Sequence, residues 1–213
     1  MDFADLLGSV EKEAVFEPGQ LLALDADPER VQRQLARWVR SGRLYHLRRG
    51  LYALAPPFQK IQPHPFLLAN RLVGGSYVSL RSALAHRGFI PDFVAVTTSV
   101  TSGRSGVWET PLGRYEFCHM REDLLGDRGR LSLGGGQEAF VAGPERALLD
   151  LLYLAGPADI PAYLEELRLQ HLGTLDLGEL RRQAMGMGKS RLVRAAEHIA
   201  HLAETQIEDY ELF

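Results

Sequence analysis

The sequence predicts an α+β protein: an amino-terminal helical unit closed by a β-hairpin, then a mixed α/β domain with a helical carboxyl-terminal portion. Three observations predict it. Apolar residues recur at helical spacing before residue 42, and RLYHLRRGLYAL (43–54) then alternates around a glycine-containing tip. Runs rich in β-branched and aromatic residues follow, as far as about 142, and the periodicity is helical from about 143. We place two domains at 1–57 and 58–213.

Three helical segments are predicted ahead of the hairpin. The first covers about residues 2–13, and a short one begins at Pro18. The third has Asp27 as its N-cap, Pro28 at its first position and Gly42 as its stop. The apolar face of this third helix consists of Val31, Leu35, Trp38 and Val39.

Charge is unevenly distributed along the chain. The net charge is −3, yet residues 30–49 contain seven arginines and no Asp or Glu. A basic stripe of one sign on an otherwise acidic chain indicates a nucleic-acid surface, whereas a merely solvated helix face usually mixes both signs. At about 100° per residue, Arg33, Arg37 and Arg40 lie opposite the apolar face of the third helix, with Arg30 at the edge.

This order of elements is that of a winged helix-turn-helix, in which the third helix enters the major groove and the hairpin, or wing, lies along the neighbouring backbone. We expect Arg33 and Arg37, with Gln34 nearby, to contact bases or the groove. Arg30, Arg40, Arg48 and Arg49 would position phosphates. The predicted DNA-binding residues are therefore Arg30, Arg33, Gln34, Arg37, Arg40, Arg43, Arg48 and Arg49.

The second domain follows a proline-rich linker at 55–65. Its predicted strands lie at 93–100, 113–120 and 138–142. Its predicted helices lie at 66–73, 79–86 (capped by Ser79), from 144, and at about 159–170, 176–185 and 189–205. GGGQ (134–137) is predicted to be a turn and TTSVTSGRSG (97–106) a loop, whose Arg104 is a secondary candidate for DNA contact.

Several short patterns resemble catalytic or metal-binding motifs without the residues that such chemistry needs. MGMGKS ends like a phosphate loop, but Gln183 stands where the first glycine is required. His198 and His201 share a helix face without a third ligand nearby. Cys118 and His119, adjacent in a strand, point to opposite faces. We therefore expect no enzymatic activity, no catalytic residues, no metal and no cofactor.

Several of these segments together resemble a known family, the AbiE-type (AbiEi) antitoxins of type IV toxin–antitoxin systems. The matching stretches, in similar order, are RVQRQLARWVRSGRLYHLRRGLYAL (30–54), YVSLRSALAHRGFIPD (77–92), TSGRSG (101–106), GRYEFCH (113–119) and GPERALLDLLYL (143–154). The resemblance covers about residues 1–155. It implies a repressor of its own operon that counteracts a cognate nucleotidyltransferase toxin.

The expected function is thus transcription regulation by a repressor and antitoxin whose partners are double-stranded operator DNA and, by resemblance, that toxin. Two alternatives remain: a free-standing winged-helix transcription factor with a ligand-sensing or dimerising carboxyl domain, and a nucleic-acid enzyme targeted by a winged helix. The acidic amino terminus, the single Cys118 and the lack of an apolar run of about 18 residues predict a cytoplasmic protein without membrane association.

Overall fold

The computed structural model describes residues 1–23, 27–91, 94–155 and 160–211, excluding the side chains of 160 and 206–211. Helices and strands both contribute to it, which confirms the predicted α+β class. In the described part of the chain, no helix is long and apolar enough to cross a membrane.

The amino-terminal part contains the predicted helical segments and hairpin. Its elements are α1 (Phe3–Val10), a 3-10 turn (Pro18–Leu21), α2 (Pro28–Arg40), β1 (Leu44–Arg48) and β2 (Leu51–Leu54). β1 and β2 pair antiparallel, and Phe16 bridges to Tyr52 through two backbone hydrogen bonds of 2.9 and 3.0 Å. The predicted turn just before α2 lies partly at 25–26, outside the described residues.

Local signals fix both ends of α2. The Asp27 carboxylate accepts hydrogen bonds from the backbone N–H groups of Glu29 and Arg30 at 3.0 and 3.2 Å, as expected of an N-cap. Pro28 occupies the first helical position. Gly42, with a φ of +70°, lies just beyond the helix in a conformation that favours glycine. The predicted cap and stop are both confirmed.

A small apolar cluster lies entirely within the first 58 residues. Its buried members are Leu6, Val10, Phe16, Leu21, Val31, Leu35, Trp38, Leu44 and Leu54. Val39 and Phe58 pack against it from the edge. The predicted apolar face of α2 is therefore the face that the molecule buries.

A mixed sheet, six α-helices and two 3-10 turns (Glu122–Leu124 and Leu172–Thr174) make up the rest of the described chain. The helices are α3 (Pro65–Leu72), α4 (Leu80–His86), α5 (Pro144–Leu154), α6 (Ile160–Leu167), α7 (Leu177–Gly186) and α8 (Ser190–Glu211). The strands are β3 (Tyr77–Val78), β4 (Val96–Thr101), β5 (Gly106–Thr110), β6 (Gly113–His119), β7 (Arg128–Ser132) and β8 (Glu138–Ala142). Their order is β5-β6-β4-β3-β8-β7, with the β3–β8 and β4–β6 pairs parallel and the others antiparallel. The predicted mixed sheet and helical carboxyl portion are confirmed.

Three strands of this sheet were not predicted. β3 has only two residues, and β5 and β7 are edge strands that are largely exposed and lack a clean alternation. Because β4 continues to Thr101, the loop predicted at 97–106 shrinks to 102–105. Gln137 closes the predicted glycine turn: its backbone N–H donates to the carbonyl of Gly134 at 3.0 Å.

The hairpin also belongs to a second, larger apolar cluster. That cluster contains most of the buried residues beyond 65, together with Val15, Leu47, Leu51 and Ala53. The predicted linker contacts the amino-terminal elements at two points in its middle, since Phe58 packs edge-on to Phe3 and Lys60 forms an ion pair with Glu11. The linker is therefore an ordered connection in contact with the amino-terminal elements.

Candidate nucleic-acid interface

Arg33 and Arg37 form the centre of the basic face of α2. Both side chains are exposed, and neither has a hydrogen bond or ion pair with any residue that the structure describes. The opposite face of the helix is buried, with Leu35 fully covered and Trp38 only 2% exposed. Two guanidinium groups are thus held by a packed helix with all their donors available to an external acceptor.

Three further arginines flank this pair, and two of them, Arg40 and Arg43, also make local contacts. Arg40 donates weakly from Nε to the carbonyl of Ala36 at 3.4 Å, near the end of the helix, where a positive charge also complements the helix dipole. The Arg43 guanidinium lies 4.8 Å above the Phe3 ring centroid. Arg30 lies in the first turn and is exposed. The predicted arginines on and just after α2 are therefore all exposed.

Gln34 differs from its arginine neighbours. It is half-buried, and its Oε1 is buried without a hydrogen-bond partner among the described residues. It lies between the exposed Arg33 and the buried Leu35, at the border between the two faces of α2. Gln34 is thus less accessible than Arg33 and Arg37.

The two arginines at the hairpin tip have different environments. Arg48 is half-buried and donates from Nε to the carbonyl of Arg71 and from Nη1 to the carbonyl of Arg49, both at 3.0 Å. Arg49 is exposed, and its side chain contacts no acceptor within the described ranges. Arg48 therefore links the hairpin to the end of α3 by a hydrogen bond, while Arg49 extends into solvent.

Arg104 lies apart from this set, in the turn between β4 and β5. It is exposed in that turn, where Ser105 Oγ accepts from the His119 backbone N–H and His119 Nδ1 lies 2.8 Å from the carbonyl of Gly103. The structure thus places Arg104 in the turn connecting two strands of the large sheet and not on the helix–hairpin unit.

Sequence reasoning missed a buried polar network around Asp150. Asp150 Oδ2 accepts from Tyr77 Oη at 2.9 Å and from Ser79 Oγ at 2.7 Å, and Asp150 Oδ1 lies 2.6 Å from an Arg146 Nη2. The Arg146 guanidinium also donates to the carbonyl of Leu124. Ser79 occupies the cap position of α4, but its hydroxyl bonds to Asp150 and does not cap the helix as predicted. The available signal was an acidic residue within the apolar run ALLDLLYL.

Burial raises the pKa values of two members of this network, Asp150 and Tyr77. Burial raises the pKa of Asp150 above its ordinary value, against the opposing effect of Arg146 and the hydroxyl donors. Burial, with the Asp150 charge, also raises the pKa of the Tyr77 phenol. Because Arg146 is 5% exposed and Asp150 is fully buried, the network joins strand to helix inside the protein. Its Arg146 member also lines a cleft of about 230 Å³ beside Leu124.

The comparisons with known proteins add no further assignment. No protein-family model matches the chain, and no curated protein is significantly similar to it. Among the residues that the structure describes, no three His, Cys, Asp or Glu side chains are grouped so as to hold a metal ion. The basic face of α2, with the hairpin tip, is the candidate functional site because it carries the exposed Arg33, Arg37 and Arg49.

Proposed function

We propose that this protein is a DNA-binding regulator in which α2 is the recognition helix and the β1–β2 hairpin is the wing of an amino-terminal winged helix-turn-helix. The observation that carries the proposal is the pair Arg33 and Arg37, exposed and unpartnered within the described chain on a helix whose opposite face is buried. A single α-helix fits the major groove, where arginine reads guanine through two parallel hydrogen bonds. No catalysis is required, because an occupied operator excludes polymerase.

The element order supports the proposal further. α1, the 3-10 turn, α2 and the hairpin follow one another in the winged-helix order, and the Phe16–Tyr52 bridge adds a short third segment beside the hairpin. The exposed Arg49 lies at the tip, where a wing would approach phosphate groups.

For the physiological role, we propose that the protein represses its own operon and acts as antitoxin to a nucleotidyltransferase toxin. This rests on the resemblance of residues 1–155 to AbiEi antitoxins. Gene neighbourhood and co-expression test it. The antitoxin role predicts a nucleotidyltransferase-like reading frame beside this one and restored growth when both are expressed. A toxin that remains lethal in the presence of this protein would exclude the antitoxin role and favour the free-standing regulator.

The DNA-binding proposal predicts a loss of affinity in two single variants. Arg33→Ala and Arg37→Ala should each weaken binding to the DNA upstream of the gene, by about 1–3 kcal/mol for whichever makes a bidentate base contact. Gel-shift titration measures the effect. Arg87→Ala, which removes an exposed arginine just after α4, is the matched control and should bind as the wild type does. Full affinity in both folded variants would mean that α2 does not face DNA.

A further inference from the structure

A cleft of about 550 Å³ lies where the segment after α1 meets α3 and the β7–β8 turn. Its apolar lining includes Val15 and Ala139, both buried, and the half-buried Leu67 on α3. The glycine turn forms one wall, where Gly135 and Gly136 take positive φ values and contribute no side chains. The cleft is therefore open, concave and apolar along part of its wall.

Positive charge dominates the rim of this cleft. Lys12, Arg71 and Arg128 all line it and are exposed. The side chains of Lys12 and Arg71 have no acceptor among the described residues, whereas Arg130 is paired with Glu138 at 3.3 Å. Apart from the Arg130–Glu138 pair, the charged residues that line the cleft are three cations. This excess of positive charge favours an anionic ligand.

The neutral polar groups of the lining are already in use. Asn70 Oδ1 accepts from the Phe140 backbone N–H at 2.6 Å, and the Gln137 amide bonds to the backbones of His64 and Gln62. Polar recognition in the cleft thus depends on its cations. The contrast between an apolar wall and a cationic rim is typical of sites that orient a small amphiphilic ligand.

We propose that this cleft binds a small organic acid with an apolar body. Lys12, Arg71 and Arg128 hold the acid group, and the body packs against Val15, Leu67 and Ala139. The cleft volume is in the range of about 300–1,000 Å³ typical of small-molecule sites, and its concave apolar wall suits such a body better than it suits a nucleic-acid backbone. Because the carbonyl of Arg71 accepts the hydrogen bond from Arg48, the same helix end contacts both the cleft and the hairpin. Binding of an acid in this cleft does not require that the protein bind DNA.

The test uses the full-length protein and the fluorescent anion 8-anilinonaphthalene-1-sulfonate, which combines a sulfonate with aromatic rings. The wild type should bind about one probe per chain in a saturable manner. The double variant Arg71→Gln with Arg128→Gln should raise the probe Kd by about tenfold, because hydrogen bonds to charged groups are lost. These side-chain changes leave the Arg71 carbonyl in place for Arg48. Arg114→Gln, which removes an exposed arginine on β6, should leave the Kd unchanged.

A second variant and competitors complete the test. Leu67→Trp should reduce probe binding by filling the cleft without a change of charge, and circular dichroism melting verifies folding. Benzoate should displace the probe, whereas inorganic phosphate and duplex DNA should not. Non-saturable binding, or equal binding by the double variant and Arg114→Gln, would overturn the proposal. Displacement by phosphate as effective as by benzoate, or displacement by DNA, would also overturn the assignment to a small organic acid.

Discussion

Asp150 shows how a single buried residue joins distant parts of this molecule. Its carboxylate meets Tyr77 on β3, Ser79 at the start of α4 and Arg146 one turn earlier on α5. A buried ion pair is weak evidence of net stabilisation, but removal of one partner leaves the other charge uncompensated. Removal of either charged partner should therefore lower the free energy of unfolding.

Loss of the Asp150 charge should destabilise the protein strongly. Asp150→Asn leaves the Arg146 guanidinium buried without a counter-charge, and we expect a loss of about 3–5 kcal/mol in the free energy of unfolding. Urea denaturation followed by circular dichroism measures it. The control is Asp123→Asn, which breaks an exposed ion pair with Arg121 and should cost about 1 kcal/mol or less. Equal costs in the two variants would show that the buried network has no special role.

At the scale of elements, prediction from the sequence succeeds where the interacting residues are close together in the chain and fails where they are far apart. Asp27, Pro28 and Gly42 act within one helix, so the bounds of α2 are predictable. Tyr77 and Asp150 are 73 positions apart, and nothing local to either residue identifies its partner. The same holds for Arg48, predicted as a phosphate contact, whose carbonyl acceptor on Arg71 is 23 positions away. The edge strands β5 and β7 were missed because neither buries a regular alternating face.

The two arginines at the hairpin tip should therefore contribute differently, Arg49 to DNA binding and Arg48 to folding stability. Arg49→Ala should reduce the slope of log affinity against log salt for duplex DNA by about 1, because one phosphate contact is lost. Arg48→Ala should leave that slope nearly unchanged and lower stability, because its guanidinium bonds to α3. Fluorescence anisotropy across salt concentrations and urea denaturation separate the two. A larger change of slope in Arg48→Ala than in Arg49→Ala would reverse these assignments.

The start of α3 should make stability sensitive to acid. His64 Nδ1 accepts from the Phe66 backbone N–H at 3.1 Å, and burial, with the nearby His86, lowers the pKa of His64 below its ordinary 6.5. Between the lowered pKa and 6.5, the unfolded state therefore binds more protons than the folded state. The contribution of His64 to the free energy of unfolding is fully present above pH 6.5 and is lost as the pH falls through the folded-state pKa. Urea midpoints at several pH values measure the effect. His64→Asn keeps a cap acceptor without titrating, and an undiminished pH dependence in that variant would contradict this origin.

At the scale of the whole molecule, the amino-terminal elements share the hairpin with the larger body. One apolar cluster holds α1, α2 and part of the hairpin, while Leu47, Leu51 and Ala53 belong to the other. Arg48 adds a polar link between the hairpin and α3. The basic face of α2 is thus presented by a unit that is packed against the α/β part, and we expect the chain to engage DNA with the hairpin fixed in place.

The salt dependence of duplex binding by the full-length protein tests the central claim most directly. Arg30, Arg40 and Arg49 are exposed and are the expected phosphate contacts, each of which contributes about −0.9 to the slope of log affinity against log salt. We predict a slope of about −3 for the wild type, reduced in magnitude by about 2 in the Arg40→Ala, Arg49→Ala double variant, whereas the Arg33→Ala, Arg37→Ala double variant should lower affinity with a nearly unchanged slope. A wild-type slope near zero, or a slope that the Arg40→Ala, Arg49→Ala double variant leaves unchanged, would contradict the assignment of α2 and the hairpin tip to DNA.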